Sequence, residues 1–210
     1  MQLLVATSNA GKIREIAHEL AAAGLGHIKT RGLRDLHPIA SVVEDQPGFA
    51  GNAMKKAAAY ARESGLLALA DDSGLCVDAL AGAPGVLSAR YAGEPCNDDA
   101  NNRLLLHNLR DVPEGRRSAR FVCAVALAAP QANIAVMVET VEGVITHQPR
   151  GSHGFGYDPL FYIPALNRTT AELSLEEKAA LSHRGKAVRL MLAWMKDNMT
   201  TLGALVSSSC

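Results

Sequence analysis

The sequence predicts an α/β fold with a partly antiparallel sheet, not a purely doubly wound one. Short apolar runs and amphipathic helical segments are mixed along the chain. Two long apolar segments, Ala119 to Ala129 and Asn133 to Ile145, follow one another with only a short turn between them. No repeat and no interdomain linker interrupts the 210 residues, which suits one large domain or two small lobes around a shared core.

Leu3 to Ala6 reads as a buried strand. Thr7, Ser8 and Asn9 are good N-cap residues, so a helix is expected to start near Asn9 or Ala10, with Ile13, Ile16, Ala17 and Leu20 at helical spacing and Gly24 at its end. Residues 31–48 have no period and read as loop. A second helix, rich in Ala and Lys, is expected from about Phe49 to Ser64. Leu66 to Ala70 reads as another buried strand, ending at Asp71-Asp72-Ser73-Gly74. Gly82-Ala83-Pro84-Gly85 is a loop, and Asp98 or Asp99 caps a helix to about Leu109. Ala128 to Ala132 turns the two long strands, and Gly151 to Pro159 is a glycine-rich loop. Ser174-Leu175-Glu176-Glu177 fits a capping box, and beyond it Ala187, Leu190, Met191 and Trp194 mark one helical face. The domain is expected over 1–198, with 199–210 as a frayed tail.

Hydrophobic residues make up 48% of the chain and aromatics only 4%, so the core must be built mostly from Ala, Val, Leu and Ile. Lys plus Arg and Asp plus Glu both number 21, which leaves no global basic field to hold nucleic acid. A small anionic ligand needs only local positive charge. Cys76, Cys96, Cys123 and Cys210 have no C-x-x-C spacing, which argues against zinc. The N-terminus lacks a basic region followed by a long apolar stretch, and the longest apolar run, Phe121 to Ala129, is too short to span a bilayer. The expectation is a cytoplasmic protein with no membrane and no nucleic-acid partner.

Gly11-Lys12 looks like the end of a triphosphate loop. Yet Ala6 stands where that loop needs its first glycine, and Ile13 where it needs a hydroxyl for Mg²⁺. A capped helix N-terminus with Lys12 beside it can still attract phosphate. An ordinary capped helix with a surface lysine would look the same.

Further constellations add chemistry. In Asp71-Asp72-Ser73-Gly74, neighbouring strand residues face opposite ways, so one carboxylate can bind Mg²⁺ or activate water while the other braces the turn. A plain Asx-type turn uses the same residues. Glu44 and Asp45 precede a helix carrying Asn52, Lys55 and Lys56, and Glu44 could be a second metal carboxylate. Phe155 and Tyr157 could stack on a nucleobase, and Asp158 could accept from a ring N–H. Lys178, His183 and Arg184 suit a phosphate or a base carbonyl. Together they make an inventory for metal-assisted attack of water on a nucleoside triphosphate.

Five stretches in order carry a family resemblance: Thr7-Ser8-Asn9-Ala10-Gly11-Lys12, Ala70-Asp71-Asp72-Ser73-Gly74-Leu75, Gly82-Ala83-Pro84-Gly85 with Ser88-Ala89-Arg90-Tyr91, Gly154-Phe155-Gly156-Tyr157-Asp158-Pro159, and Ser182-His183-Arg184-Gly185. The sequence resembles the noncanonical purine nucleoside triphosphate pyrophosphatases, the inosine triphosphatase family, as far as about Trp194. The resemblance implies a two-lobed α/β fold around a long mixed sheet flanked by helices, with the nucleotide in a cleft between lobes, and a homodimer. It implies Mg²⁺-dependent hydrolysis of ITP, dITP and XTP to the monophosphate and pyrophosphate.

By position, Thr7, Ser8, Asn9, Ala10, Gly11 and Lys12 would contact the phosphates. Asp72 would be proton acceptor and metal ligand, with Glu44 as the other metal carboxylate and Ser73 beside the nucleotide. Phe155, Gly156, Tyr157, Asp158, Lys178, His183 and Arg184 would enclose the base and the remaining phosphate oxygens. The sequence departs from the family's Phe-x-Glu-Asn-Ala at Phe49-Ala50-Gly51-Asn52-Ala53. With no carboxylate at Gly51, Asp45, Asp71 or water would complete the metal shell, or the metal would bind less tightly. A related septum-protein-like pyrophosphatase with other nucleotide preferences, or a nucleotide sensor without turnover, would carry much the same residues.

Overall fold

The computed structural model describes residues 1–7, 10–37 and 39–207. Among these the strands are β1 (Gln2–Val5), β2 (Lys29–Gly32), β3 (Leu67–Val77), β4 (Ser118–Ala129), β5 (Ala132–Ile145), β6 (Phe161–Ile163) and β7 (Arg168–Thr169). The helices are α1 (Ala10–Ala22), α2 (Phe49–Ser64), α3 (Asp98–Asn108), α4 (Leu175–Leu181), α5 (His183–Asp197) and α6 (Met199–Ser207), with short 3-10 turns between.

The strands form one seven-stranded sheet in the order β2-β1-β3-β4-β5-β6-β7. β1 pairs in parallel with β2 and β3, while β6 pairs antiparallel with β5 and β7. The sheet is mixed and flanked by helices, as the sequence predicts. By its internal contacts the chain forms two compact units. The first holds Met1–Asp72, Ala124–Val138 and Lys186–Cys210; the second holds Ser73–Cys123 and Glu139–Gly185. β3, β4 and β5 each contribute to both, and β3 changes unit between Asp72 and Ser73.

The first unit packs on small side chains. α2 presents Ala53, Ala57 and Ala61 at four-residue spacing, and they meet Ala68, Ala70, Ala124, Ala126 and Ala128 of the sheet. Strand side chains alternate, so even-numbered residues of β3 and β4 share the α2 side. Methyl side chains predominate in this contact, with Leu4 and Tyr60 completing the cluster. The same row on β3 runs on from Ala68 and Ala70 to Asp72. At the other end of α1, Gly24 adopts φ +78° and the Leu25 N–H closes back on the Leu20 carbonyl at 2.8 Å, the glycine cap the sequence predicts.

The second unit buries Leu75, Val77, Leu105, Leu109, Ile145, Leu160 and Phe161. Arg117 is buried with them. Its guanidinium donates to the carbonyls of Leu109, Val112, Ile145 and Thr146 at 2.7, 3.2, 2.8 and 3.1 Å. A charge taken from water needs such a set of partners.

Several boundaries differ from the sequence reading. β3 does not end at Asp71 but continues through Asp72-Ser73-Gly74 to Val77, so these residues are strand, not an Asx turn. β2 begins before the expected loop of residues 31–48 and takes in its first two residues, because the polar segment Lys29-Thr30-Arg31-Gly32 takes its hydrogen bonds from β1. Asn97 caps α3, accepting from the Ala100 N–H at 2.9 Å, in place of Asp98 or Asp99. The buried face of α5 is Ala187, Val188, Met191, Leu192 and Met195, whereas Leu190 is 46% exposed. Residues 199–207 of the expected frayed tail are helical, with Leu202 buried, and 208–210 lie outside the described residues. No helix among the described residues is long and apolar enough to cross a membrane.

Candidate active site

The alternation of β3 splits the two aspartates. Asp72 extends the even row toward α2, and Asp71 faces Lys12 of α1. Asp72 is only 7% exposed. On α2, Asn52 and Lys56 are four residues apart and reach the same place. Lys56 Nζ donates to Glu44 Oε1 at 2.8 Å and to Asp72 Oδ1 at 3.3 Å. Lys55, one position along, instead pairs with the exposed Asp45 at 2.7 Å. Sequence reasoning listed both lysines without separating them. The usable signal was Asn52 and Lys56 flanking the Ala53–Ala57 face.

Burial pushes the Asp72 carboxyl above its ordinary range, Lys56 pulls it back, Glu44 pushes it up again, and Asn52 draws it down. For Lys56 burial alone lowers the pKa, but the hydrogen bond to Glu44 and the charges of Asp72, Glu44 and Asp71 outweigh it, so the net shift is upward. The ammonium thus stays charged between two carboxylates, while the better buried Asp72 holds its proton more readily than an ordinary aspartate. Asn52, fully buried, accepts from the Gln46 N–H through Oδ1 at 2.9 Å. Asn52 Nδ2 and Asp72 Oδ2 have no hydrogen-bond partner among the described residues.

No cluster of three or more His, Cys, Asp or Glu forms a metal site among the described residues. Glu44 and Asp72 nonetheless converge on one ammonium. Two carboxylates fit a hard cation that retains waters and completes its shell with substrate oxygens.

Lys12 donates to both carboxylate oxygens of Asp71, at 3.0 and 2.9 Å. The Thr7 carbonyl accepts from the Leu33 N–H at 3.1 Å, which ties the strand exit to the chain after β2. Ser8 and Asn9 lie outside the described residues. Ala10 and Gly11 open α1, whose first turn brings Lys12 to Asp71.

The second unit gathers the other candidates. Asp158 is buried and accepts from the Phe155 N–H at 2.8 Å, from Thr170 Oγ1 at 2.9 Å and from Lys178 Nζ. Its carboxylate is spent on bracing the loop, contrary to the expectation that it is open to a ring N–H. A side chain at Gly154, where φ is +82°, would run into that carboxylate. Gly156 donates to Asp98 Oδ2 at 2.7 Å and accepts from Asn102 Nδ2 at 2.9 Å, two anchors that sequence reasoning missed.

The two aromatics differ. Phe155 is 65% exposed, with Lys178 Nζ 5.0 Å from its ring centroid. Tyr157 is not an open stacking face. It is 5% exposed in the core, and its hydroxyl donates to the Ser88 carbonyl at 2.8 Å. Ser88 Oγ in turn accepts from the Leu75 N–H, and Asn101 donates to the Ala89 carbonyl, so the Ser88–Tyr91 stretch supports the loop from below. Arg184 Nη2 donates to Ser73 Oγ at 3.2 Å. The His183 ring lies nearly parallel to Phe121, centroids 5.1 Å apart and planes 10° from each other, and Phe121 also packs on Phe161. Phe121 was read only as part of an apolar strand.

The chain is similar to known proteins in sequence and in fold. Residues 3–194 match the sequence profile of the Ham1 family. A Desulforamulus reducens protein named dITP/XTP pyrophosphatase is 50% identical over 189 residues, which cover 90% of this chain and 92% of that one. A Streptomyces avermitilis protein of the same name is 49% identical over 197 residues, 93% of this chain and 98% of that one. Among solved structures, the Ham1 protein of Staphylococcus aureus superposes with a TM-score of 0.87 at 38% identity, covering 94% of this chain and all of that one. A nucleoside-triphosphatase, dITP/XTP pyrophosphatase, from Mycobacterium abscessus gives 0.80 at 43% identity, covering 91% and 97%.

Proposed function

This chain belongs to the Ham1 family, and from that premise we propose that it hydrolyses the noncanonical purine nucleoside triphosphates ITP, dITP and XTP to the monophosphate and pyrophosphate, with Mg²⁺. The names carried by its relatives support the substrate class. The observation that carries the chemistry is the Asp72 carboxylate: buried, partly neutralised by Lys56, and with Oδ2 unpartnered. A carboxyl whose pKa is raised is a better base for water than an ordinary one, and general-base assistance is worth roughly 10²–10⁴-fold.

In this reading Asp72 takes a proton from the attacking water. Lys56 keeps Glu44 and Asp72 together despite their like charge. Lys12 exchanges Asp71 for a phosphate oxygen, and with the first N–H groups of α1 stabilises the negative charge of the departing pyrophosphate. Glu44 and Asp72 would hold Mg²⁺, which when bound neutralises phosphate charge. Phe155 supplies a stacking face, Lys178 and Arg184 supply fixed donors, and His183 can donate to the 6-oxo group. The proposal includes a cytoplasmic homodimer, which sedimentation of the purified protein tests.

The decisive assay measures products from ITP, XTP, GTP and ATP with and without Mg²⁺. Pyrophosphate and monophosphate from ITP and XTP, with ATP far slower, are expected. Orthophosphate as the first product, or stoichiometric binding without turnover, would refute the reading.

A further inference from the structure

Asn52 is a wholly buried side chain whose orientation is fixed. The Gln46 backbone N–H can only donate, and it donates to Asn52 Oδ1 at 2.9 Å. The amide oxygen therefore faces the loop, and Nδ2 is turned away from it. Nδ2 finds no partner among the described residues. Asp72 Oδ2 is in the same condition, since Lys56 occupies Oδ1. Buried donors and acceptors are rarely left in this state. Here an unpaired donor and an unpaired acceptor lie side by side, both within the first unit. The Asn52 amide is near enough to hold the Asp72 carboxyl down by a hydrogen-bonding interaction, while Nδ2 and Oδ2 stay outside the geometry of a direct bond.

The species that satisfies both atoms must accept from Nδ2 and donate to Oδ2. A metal ion cannot accept a hydrogen bond. A phosphate oxygen can accept from Nδ2 but has no proton for Oδ2, and its charge repels the carboxylate. Water does both.

Taking the pyrophosphatase reading as given, we propose that Asn52 is a catalytic residue that holds the attacking water jointly with Asp72. One water lone pair is engaged by Nδ2–H and one O–H points to Asp72 Oδ2, leaving the second lone pair for the α-phosphorus. As the O–P bond forms, that proton passes to Oδ2. The bond from the α-phosphorus to the bridging oxygen breaks, its electron pair leaving with pyrophosphate. Asp72 then returns the proton to solvent.

Asn52→Asp keeps the size and the acceptor for Gln46 while replacing the Nδ2 donor by oxygen, and Asn52→Ser removes the donor's reach without adding charge. Both should lower kcat for ITP by about 10²-fold on the alkaline plateau. The Kd of an uncleavable α,β-methylene ITP should stay within about threefold of wild type. That split separates water positioning from a general loss of structure, which weakens both. A crystal structure of the wild-type protein gives a second readout that needs no variant: a water within hydrogen-bonding distance of both Nδ2 and Oδ2 is expected. Near wild-type kcat in both variants, a Kd that weakens in step with kcat, or a metal ion or phosphate oxygen in that place would overturn the proposal. If the wild type releases no pyrophosphate from ITP, the functional reading fails instead. Turnover by wild type and variants alike removes Asn52 alone.

Discussion

Lys12 grips Asp71 with both carboxylate oxygens in range, at 3.0 and 2.9 Å, so the lysine of the phosphate loop is already paired. A triphosphate must compete with that partner. Lys12→Ala should weaken binding of an uncleavable ITP analogue by about tenfold or more, a charge-assisted bond being worth about 1.5–3 kcal/mol, and affect inosine monophosphate much less. Asp71→Asn should shift analogue affinity the other way. Titration calorimetry reads both, and equal losses for mono- and triphosphate would show that Lys12 does not read the distal phosphates.

Asp72→Asn should lower turnover by roughly 10²–10⁴-fold while leaving the fold intact. The pH dependence follows from the raised pKa of Asp72, whose ordinary value is 3.8. A raised folded-state pKa means that the folded protein holds the proton more tightly than the unfolded chain. The resulting stabilisation is full below the unfolded pKa and is lost as pH rises through the folded one. At neutral pH the ionised carboxylate is therefore a burden, and Asp72→Asn should raise Tm there while it destroys activity. In wild type the acid limb of kcat/KM should sit above the ordinary aspartate value. An unchanged or lower Tm in the variant would contradict the sign.

Lys55 and Lys56 are neighbours with unlike tasks. Lys55→Ala removes an exposed, solvent-screened pair with Asp45 and should leave stability essentially unchanged. Lys56→Ala leaves Glu44 and Asp72 facing each other without their shared cation, which should cost on the order of 2–4 kcal/mol and move the acid limb to higher pH. Urea unfolding and pH–rate profiles of the two variants make the comparison.

Phe155 and Tyr157 should separate in the same way. Phe155→Ala is expected to raise KM for ITP, since stacking on a base is worth about 1–3 kcal/mol, with little change in Tm because the ring is exposed. Tyr157→Phe removes the shorter of the two bonds to the buried Ser88 carbonyl, leaving only that from Asn101 Nδ2 at 3.4 Å, and should cost about 1 kcal/mol of stability with KM nearly unchanged. The reverse pattern would return Tyr157 to the base-binding surface.

Gly51, where the family resemblance leads one to expect glutamate, has no room for a simple replacement. A Cβ there would meet Gln46 Cβ at 2.9 Å, and the Gln46 N–H is the bond that orients Asn52. Gly51→Glu alone should therefore reduce kcat, and adding Gln46→Gly should restore much of it. A double-mutant cycle in kcat measures the coupling, and simple additivity would mean that the loop yields without touching Asn52.

The parts of the fold legible in the sequence are those decided locally. α2 ends where its composition says, the turn between β4 and β5 follows their two apolar segments, and Ser174 and Glu177 exchange both bonds of the predicted capping box. β2 was invisible because four polar residues become a strand only when β1 offers them a ladder. β3 was cut short because Asp-Asp-Ser-Gly has turn chemistry that the sheet overrides. In the candidate site, local chemistry pointed to the Asp71-Asp72 pair and to Glu44, and only the alternation of β3 separates Asp72, which meets Glu44 at Lys56, from Asp71, which meets Lys12. The places of Lys56 and Asn52 depend on which face of α2 meets which row of β3, and that is settled by packing. Tyr157 was misread for the same reason, because nothing local says that one aromatic of the loop points inward and the other out.

The alanine seam between α2 and the sheet sets a tolerance as well as a core. A methyl-to-methyl contact has no rotamer to adjust, so the gap between helix and strand is fixed by backbone geometry, in the way a machined spacer fixes two plates. Asn52 and Lys56 ride on one plate and Asp72 on the other. Their alignment is thus inherited from residues that never touch a nucleotide. An added methyl or two at Ala57 would wedge the plates apart at a distance from the chemistry and detune it before the fold gave way. The tolerance of the chemistry is set by the residues that are chemically dullest.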